Sequence, residues 1–557
     1  MKMKNSILVW SSATLLFLAS CVGLEQYPTN SYTDDTYWLV PANVDAALNL
    51  GYNQCWNADL YWCNNLLSDD VFGSRHSGDN LLVATGLATT SNGRFSSEWN
   101  GCYQELRTLH TALDNLDRMN IDDATKARYE AEWRLMRAFT YLRLITWFGD
   151  VPFFTTNPTL PETKVVSRSP EAEIRQFILD ELEFAAGRLP LNTQIPTTEY
   201  GRYTAGTAVA IKARAYLLNN DWANCAAECA RLINGTEYGS YRLADNYASL
   251  FTSGHYGPES IMTIEFAYEG SANHILRSWS TGQRLPQSIG YGGIVEFSPT
   301  QELVDAFRKT NGSVAGDTDY ADRDLRFYST IAYNGCTLTI PPALGAKIIG
   351  SEGVGRGTYT CWTRPEDAEI ALRRDPSLKD AYDGSQDRTA TGYYNIKNYA
   401  PETIGPGGGS YKPIMEIRFA DVLLMYAESM NELGEMTDEI WNKTIKPLRR
   451  RAGFNDSWCN TIPASQEEKR QAIREERRCE LALEGRRCFD LRRWAVLDNP
   501  SIRETGSAYL TSTATGAPFQ DDGSRIVCQS PYSIMYWFPI PQSERDINKN
   551  LTQNPGW

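Results

Sequence analysis

Apolar residues recur along most of this chain at helical spacing. Within residues 124–148, Ala131, Leu135, Ala138, Leu142 and Ile145 fall three or four apart, and Gly149-Asp150-Val151-Pro152 follows. That pattern predicts a long amphipathic helix with a sharp stop. Further helices are predicted over residues 44–67, 98–116 and 170–189, the last with Pro170 in its first turn. Residues 204–233 read as a helical hairpin: Ala208, Ile211, Ala215 and Leu218 line one face, Asn219-Asn220-Asp221 turns, and 222–233 returns. The pattern then breaks. Residues 241–409 hold many glycines, β-prone pieces at 260–268, 327–333 and 393–399, and a short predicted helix at 300–308. Helical spacing resumes at 414–433 and 466–494, and residues 499–557 read as loop.

The expected fold is therefore mainly α. Alanine-rich hairpins with tight turns follow the packing logic of tetratricopeptide repeats. They form an N-terminal part at about 40–235 and a C-terminal part at about 414–557, with a large irregular insertion at about 240–410. Long structured insertions usually carry function. So does a loop such as residues 68–95, rich in Gly, Ser, Asp and Thr, with Phe72, Arg75, His76 and Asn80 along it.

One segment departs from ordinary amphipathicity. Residues 473–494, IREERRCELALEGRRCFDLRRW, stack Glu476, Glu480 and Glu484 four apart, a repulsive spacing unless cations neutralise it. Arg477, Arg478 and Arg487 are the nearest candidates, and Gly485 is a natural break between two helices.

Residues 1–20 predict a targeting segment: Lys2 and Lys4, an apolar stretch at 7–18 too short to span a bilayer, then Leu18-Ala19-Ser20-Cys21. This is similar to a bacterial lipobox, in which Cys21 receives lipid and becomes the mature N-terminus. The chain from 21 to 557 is then expected as one exported unit tethered by lipid, with a net charge of −16 once Lys2 and Lys4 are removed from the −14 of the whole sequence. An acidic chain with no basic run is a poor nucleic-acid binder. Eleven cysteines follow Cys21, an odd number with no Cys-x-x-Cys spacing, and the four histidines are isolated. Disulfides are permitted, zinc has little support, and Cys225 and Cys229 fit buried thiols.

No nucleophile elbow, phosphate loop or metalloprotease motif occurs. Two carboxylates across a cleft would suffice for a glycosidase, and Asp69-Asp70, Glu265 and Asp521-Asp522 supply candidates. The run Asp317, Asp319, Asp322, Asp324 could coordinate calcium but lacks the EF-hand glycine and terminal glutamate. No other cofactor is indicated. Trp279, Tyr291, Tyr333, Tyr359 and Trp362 lie among glycines and polar residues, where flat rings could stack on sugar faces.

Six blocks, in order, resemble the SusD/RagB-like outer-membrane nutrient-uptake lipoproteins. They are LEQYPTNSYTDDTYW, AEWRLMRAFTYLRLITWFGDVPFF, GRYTAGTAVAIKARAYLLNNDW, EIRFADVLLMYAESMNELG, the 473–494 segment and FPIPQSERDINKNLTQNPGW. The resemblance covers nearly the whole mature chain. It implies about four tetratricopeptide-like hairpins cradling the irregular segment, no catalysis, and a surface glycan site. It also implies a lipid anchor in the outer membrane, facing outward, and partnership with a SusC-like TonB-dependent transporter over which the lipoprotein acts as a hinged lid. The family's recurring blocks are structural while its ligand residues vary with the glycan. Its glycine-aromatic-glycine turn appears as Gly290-Tyr291-Gly292, before Ser298-Pro299-Thr300. The expected site combines Trp279, Tyr291 and Trp362 as stacking rings with Arg75, Asn80 and Arg284 as hydroxyl partners. Peptide or glycopeptide capture, glycoside hydrolysis and a purely structural lipoprotein are the competing readings.

Overall fold

The computed structural model describes residues 34–55, 58–73, 78–84, 86–266, 279–280, 284–286, 289, 295–316, 318–342, 358–363, 380, 388–389, 391–405, 408–496 and 536–557. The helices in chain order are α1 (Pro41–Gln54), α2 (Ala58–Leu66), α3 (Gly78–Ala84), α4 (Gly93–Asp114), α5 (Asp123–Phe148), α6 (Glu171–Ala186), α7 (Ala205–Leu218) and α8 (Trp222–Ile233). They continue with α9 (Gln301–Ala306), α10 (Leu325–Thr330), α11 (Phe419–Glu432), α12 (Asp438–Arg451), α13 (Gln466–Glu480), α14 (Arg487–Arg493) and α15 (Gln542–Ile547). Among the described residues ten short strands pair two by two: β1 (Val71–Gly73), β2 (Ser260–Ile264), β3 (Trp279–Ser280), β4 (Phe297–Pro299), β5 (Ile331–Ala332), β6 (Thr337–Thr339), β7 (Thr358–Thr360), β8 (Tyr394–Asn395), β9 (Gly409–Ser410) and β10 (Ile414–Arg418).

Local signals set the helix limits. The Asp122 side chain accepts from Thr125 N and starts α5, and Gly149, at φ +67°, stops it. Thr204 caps α7, Asn220 takes a left-handed turn at φ +56°, and Asp221 caps α8. Helices then stack in sequence, α4 on α5, α5 on α6, α6 on α7 and α7 on α8. The next layer on α8 is α11, nearly two hundred residues later, followed by α13 and α12. The buried face of α8 carries Cys225 and Cys229, both fully buried. The irregular region thus leaves the stack after α8 and returns to the same place. One hydrophobic core runs from Trp38 to Leu551 through both helical parts. Among the described residues no helix is long and apolar enough to cross a membrane.

Four expectations need correction. Residues 414–418 form β10, antiparallel to β2, before α11 begins. Residues 325–330 form α10 because the Asp324 carboxylate accepts from Arg326 N, leaving only Ile331 and Ala332 as strand in the predicted 327–333 piece. Residues 44–67 divide into α1 and α2. The terminus is packed: Phe538 stacks on Trp147 at 4.3 Å, and Asn554 Nδ2 donates to the carbonyls of Phe148 and Phe538.

The 473–494 segment breaks where expected. Gly485, at φ +72°, lies where a Cβ would come 2.9 Å from the Tyr61 carbonyl. Its charges pair differently from the local reading. Glu480, fully buried, accepts from Arg326 at 2.8 Å and Arg418 at 2.6 Å and also pairs with Arg451. Glu476 meets Arg326 and Arg449, and Glu484 meets Arg418 and Lys397. Arg477 reaches Asp421 and Asp490, while Arg478 and Arg487 reach Asp69 and Asp70. A residue one position along a helix points about 100° away, so Arg477 cannot share a face with Glu476. Burial alone would raise the Glu480 carboxyl, yet the guanidinium groups of Arg451, Arg418 and Arg326 hold it well below the usual carboxylate range.

Candidate functional site

The site the sequence points to grows out of the β1–β4 ladder. Its register pairs Val71 with Pro299, Phe72 with Ser298 and Gly73 with Phe297, so the chain leaving β1 and the chain entering β4 lie at the same end. The root of the ladder is tied to the 473–494 segment. Arg487 donates to both Asp69 oxygens at 2.7 and 2.8 Å, and Arg478 donates to Asp70 at 2.7 Å. Thr300, the cap of α9, donates from Oγ1 to the Asp69 carbonyl and from its backbone N–H to that of Asp70. The ionic segment therefore fixes the root of the β1–β4 ladder.

These contacts remove Asp69 and Asp70 as hydrolytic candidates. Both are almost fully buried and tied up by arginine. Burial works against the Asp69 charge, but Arg478 and Arg487 hold its carboxyl far below its ordinary value. For Asp70, burial and the neighbouring Asp69 charge outweigh Arg478 and push it up. Glu265 is raised by burial and accepts from Tyr256 OH. Asp521 and Asp522 lie outside the described residues.

Arg75 and Tyr291 also lie outside the described residues. The other four expected ligand residues separate into two groups. Trp279 and Arg284 come together, but inside the protein, at 3% and 2% exposure. The Arg284 guanidinium sits in the wedge between Trp279 and Trp62, 3.9 and 3.8 Å from the ring centroids. Trp279 Nε1 donates to the Lys412 carbonyl at 3.0 Å. A ring covered on one face by a cation and tied through its N–H has no face left for a sugar. The structure thus encloses Trp279 and Arg284 in the interior rather than at the surface where the sequence expectation placed them. Trp62, the residue that completes the stack, was missed because it reads as one more apolar position of a helix.

Trp362 and Asn80 stay at the surface. Trp362 is half-buried just after β7, its ring beside the Gly335 turn. Asn80 lies on α3, partly exposed, although its Oδ1 is itself buried and without a hydrogen-bond partner. Tyr333 packs against Tyr320 and Phe327, and Tyr359 is buried, so both serve packing.

The aspartate run does not gather. Asp319 pairs with Lys309, and Asp324 turns inward to Arg326; Asp317 lies outside the described residues. Among the described residues no group of three or more His, Cys, Asp or Glu could hold a metal.

A separate cleft of about 770 Å³ opens between α4, residues 152–166 and residues 544–551. Tyr103, Arg107, Asn157 and Asn548 line it, and the buried His110 presents an Nε2 with no partner. Burial, helped by Arg137, lowers His110 to about 3, so it is a neutral imidazole at ordinary pH.

Comparison with known proteins settles the family. Residues 258–557 match the SusD family model, and residues 30–217 match a model described as starch-binding associating with outer membrane. SusD-like protein P2 of Formosa agariphila is 26% identical over 562 residues, covering 98% of each chain. Among solved structures, a SusD-like carbohydrate-binding protein of Bacteroides fragilis superposes with a TM-score of 0.75 at 24% identity, covering 93% of this chain and 100% of that one. A laminarin-binding SusD-like protein reaches a TM-score of 0.64 at 21% identity, over 93% of this chain and all of that one. The mainly helical architecture, the order of its blocks and the matched models agree: the chain belongs to the SusD family.

Proposed function

We propose that this chain is a non-catalytic glycan-binding lipoprotein, anchored in the outer membrane through Cys21, that captures oligo- or polysaccharide and delivers it to a SusC-like TonB-dependent transporter. The match of residues 30–217 to a starch-binding, outer-membrane-associating family carries this reading. The geometry supports it. Trp362 and Asn80 are both partly exposed, and Arg75 and Tyr291 follow and precede the paired ends of the β1–β4 ladder in sequence. An aromatic face with amide and guanidinium groups suits the alternating apolar faces and hydroxyls of a sugar.

Affinity electrophoresis against a panel that includes starch and laminarin tests the binding half. At least one glycan should retard the protein, and Trp362→Ala should weaken that binding about tenfold, the equivalent of about 1.4 kcal/mol. Retardation by no glycan, together with calorimetric binding of peptides, would replace this reading with peptide capture. Co-purification with a TonB-dependent transporter from detergent-solubilised outer membrane tests delivery.

A further inference from the structure

Two cysteines of the irregular region face each other across a strand pair. β6 and β7 are antiparallel, with Thr337 opposite Thr360, Leu338 opposite Tyr359 and Thr339 opposite Thr358. One step back along the register, Cys336 stands opposite Cys361, and Cys361 N donates to the Cys336 carbonyl at 2.8 Å. Gly335 N also donates to the Cys361 carbonyl, at 2.7 Å, so Gly335 and Cys336 together oppose one residue. Gly335 has φ +84°, and Cys336 N closes a turn onto the Tyr333 carbonyl. Type II turns favour glycine at this third position, and the two-against-one pairing is a bulge of the glycine kind. Neighbours across an antiparallel pair have Cα atoms about 4.5–5.5 Å apart, inside the roughly 4.4–6.8 Å range that a disulfide spans. Both carry free thiols in this structure.

We propose that Cys336 and Cys361 form a disulfide in the exported protein, closing the β6–β7 hairpin beside Trp362. The inference rests on the export reading above. The two residues differ in the way the chemistry asks of a first nucleophile and a resolving thiol. Cys336 keeps a little exposure, accepts from Tyr333 N at 3.4 Å, and is lowered chiefly by the neighbouring Cys361 thiol. Cys361 is fully enclosed and raised by burial. The Cys336 thiolate attacks the disulfide of an exported thiol oxidase, and one oxidase sulfur leaves as a thiolate. Cys361 then loses its proton and attacks the Cys336 sulfur, expelling the second oxidase thiolate. The two thiols give up two protons and two electrons in all, and the oxidase disulfide is reduced to a dithiol.

The placement also explains what such a bond would do. Both cysteines belong to a small apolar cluster with Leu285, Val295, Leu338 and Tyr394, separate from the main core. Small cores gain most from covalent closure. The other cysteine pair one turn apart, Cys225 and Cys229, sits on one regular helix in the main core, where no such closure is needed.

The test uses the full chain from its own host. The outer-membrane fraction is denatured in iodoacetamide without reductant, digested and mapped by mass spectrometry. The expected result is one species linking the Cys336 and Cys361 peptides, lighter by two hydrogens than their sum, which separates on reduction. Both peptides fully alkylated in outer-membrane protein, or either linked to a different cysteine, would overturn the inference while leaving glycan binding untouched. Should fractionation place the chain outside the envelope, the export reading fails by itself. Oxidised glutathione on the purified protein then decides the geometry, with selective linkage supporting it and none overturning it. A Cys336→Ser/Cys361→Ser variant should melt at the temperature of the reduced wild type and below the oxidised one.

Discussion

Glu480 and Trp362 stand in two differently built parts of one molecule. Around Glu480 the helical stack is held by long-range ion pairs sealed from water, reaching Arg326, Arg418 and Arg451. Around Trp362 the chain makes a small second core from residues between 285 and 404, short strand pairs and partly exposed aromatic surface. The ionic network is also what joins the two parts, since Arg326 and Lys397 come from the irregular region and Glu476, Glu480 and Glu484 from the stack. Rigidity is placed where nothing has to vary. The β1–β4 ladder is in turn rooted in that rigid part, through Asp69 on Arg487 and Asp70 on Arg478.

The sharpest way to break this contrast is to remove the buried anion. Glu480→Ala removes the carboxylate shared by three buried guanidinium groups, leaving Arg326 with Asp324 and Glu476, Arg418 with Glu259 and Glu484, and Arg451 with Glu259 alone among the described residues. It should cost about 3–5 kcal/mol in chemical denaturation. Protein that remains folded should bind glycan as before; a stable variant that had lost binding would move the site into the scaffold.

Next in size is Trp279→Ala. It opens the wedge around Arg284 and should destabilise by about 3 kcal/mol or more, as large aromatic truncations in a core do. Unchanged stability combined with lost glycan retardation would return Trp279 to the ligand surface.

The smallest effect is a pH dependence. Burial lowers Lys412 to about 7, with Glu265 and Glu402 offsetting it only in part, while an unfolded lysine titrates near about 10.4. Below about pH 7 both states carry the proton and the full penalty of a buried cation is present. Above it the unfolded chain binds more protons than the folded one, so stability rises with pH through that window. Lys412→Met should flatten the rise in melting temperature between about pH 7 and about pH 9 relative to wild type. An identical slope in both proteins would show that Lys412 is not the group responsible.

Helix positions were legible because their signals are local. The spacing of Ala131 to Ile145, the Gly149 stop and the Asn220 turn all lie within a few residues of what they control. The boundary at 414–418 was not legible, because Ile414, Met415 and Ile417 become strand only through pairing with β2, some 150 residues earlier. The same reason divides the aromatics. Trp279 and Trp362 sit in similar glycine-rich, polar surroundings in sequence. Arg284 and the Lys412 carbonyl hold one of them in the interior, while the other stays partly exposed beside the Gly335 turn.

The sequence by itself determined the family, the helical stack, the place of the irregular insertion and the break at Gly485. Each of these follows from patterns that repeat along the chain or from a residue's own backbone freedom. The tertiary structure alone decided which charge meets which, and which rings reach the surface. Arg478 and Asp70 are separated by about four hundred residues, and no periodicity encodes a partner at that distance. A buried charge must find a counter-charge wherever the packed helices bring one, and a ring is exposed only where no other segment comes to cover it.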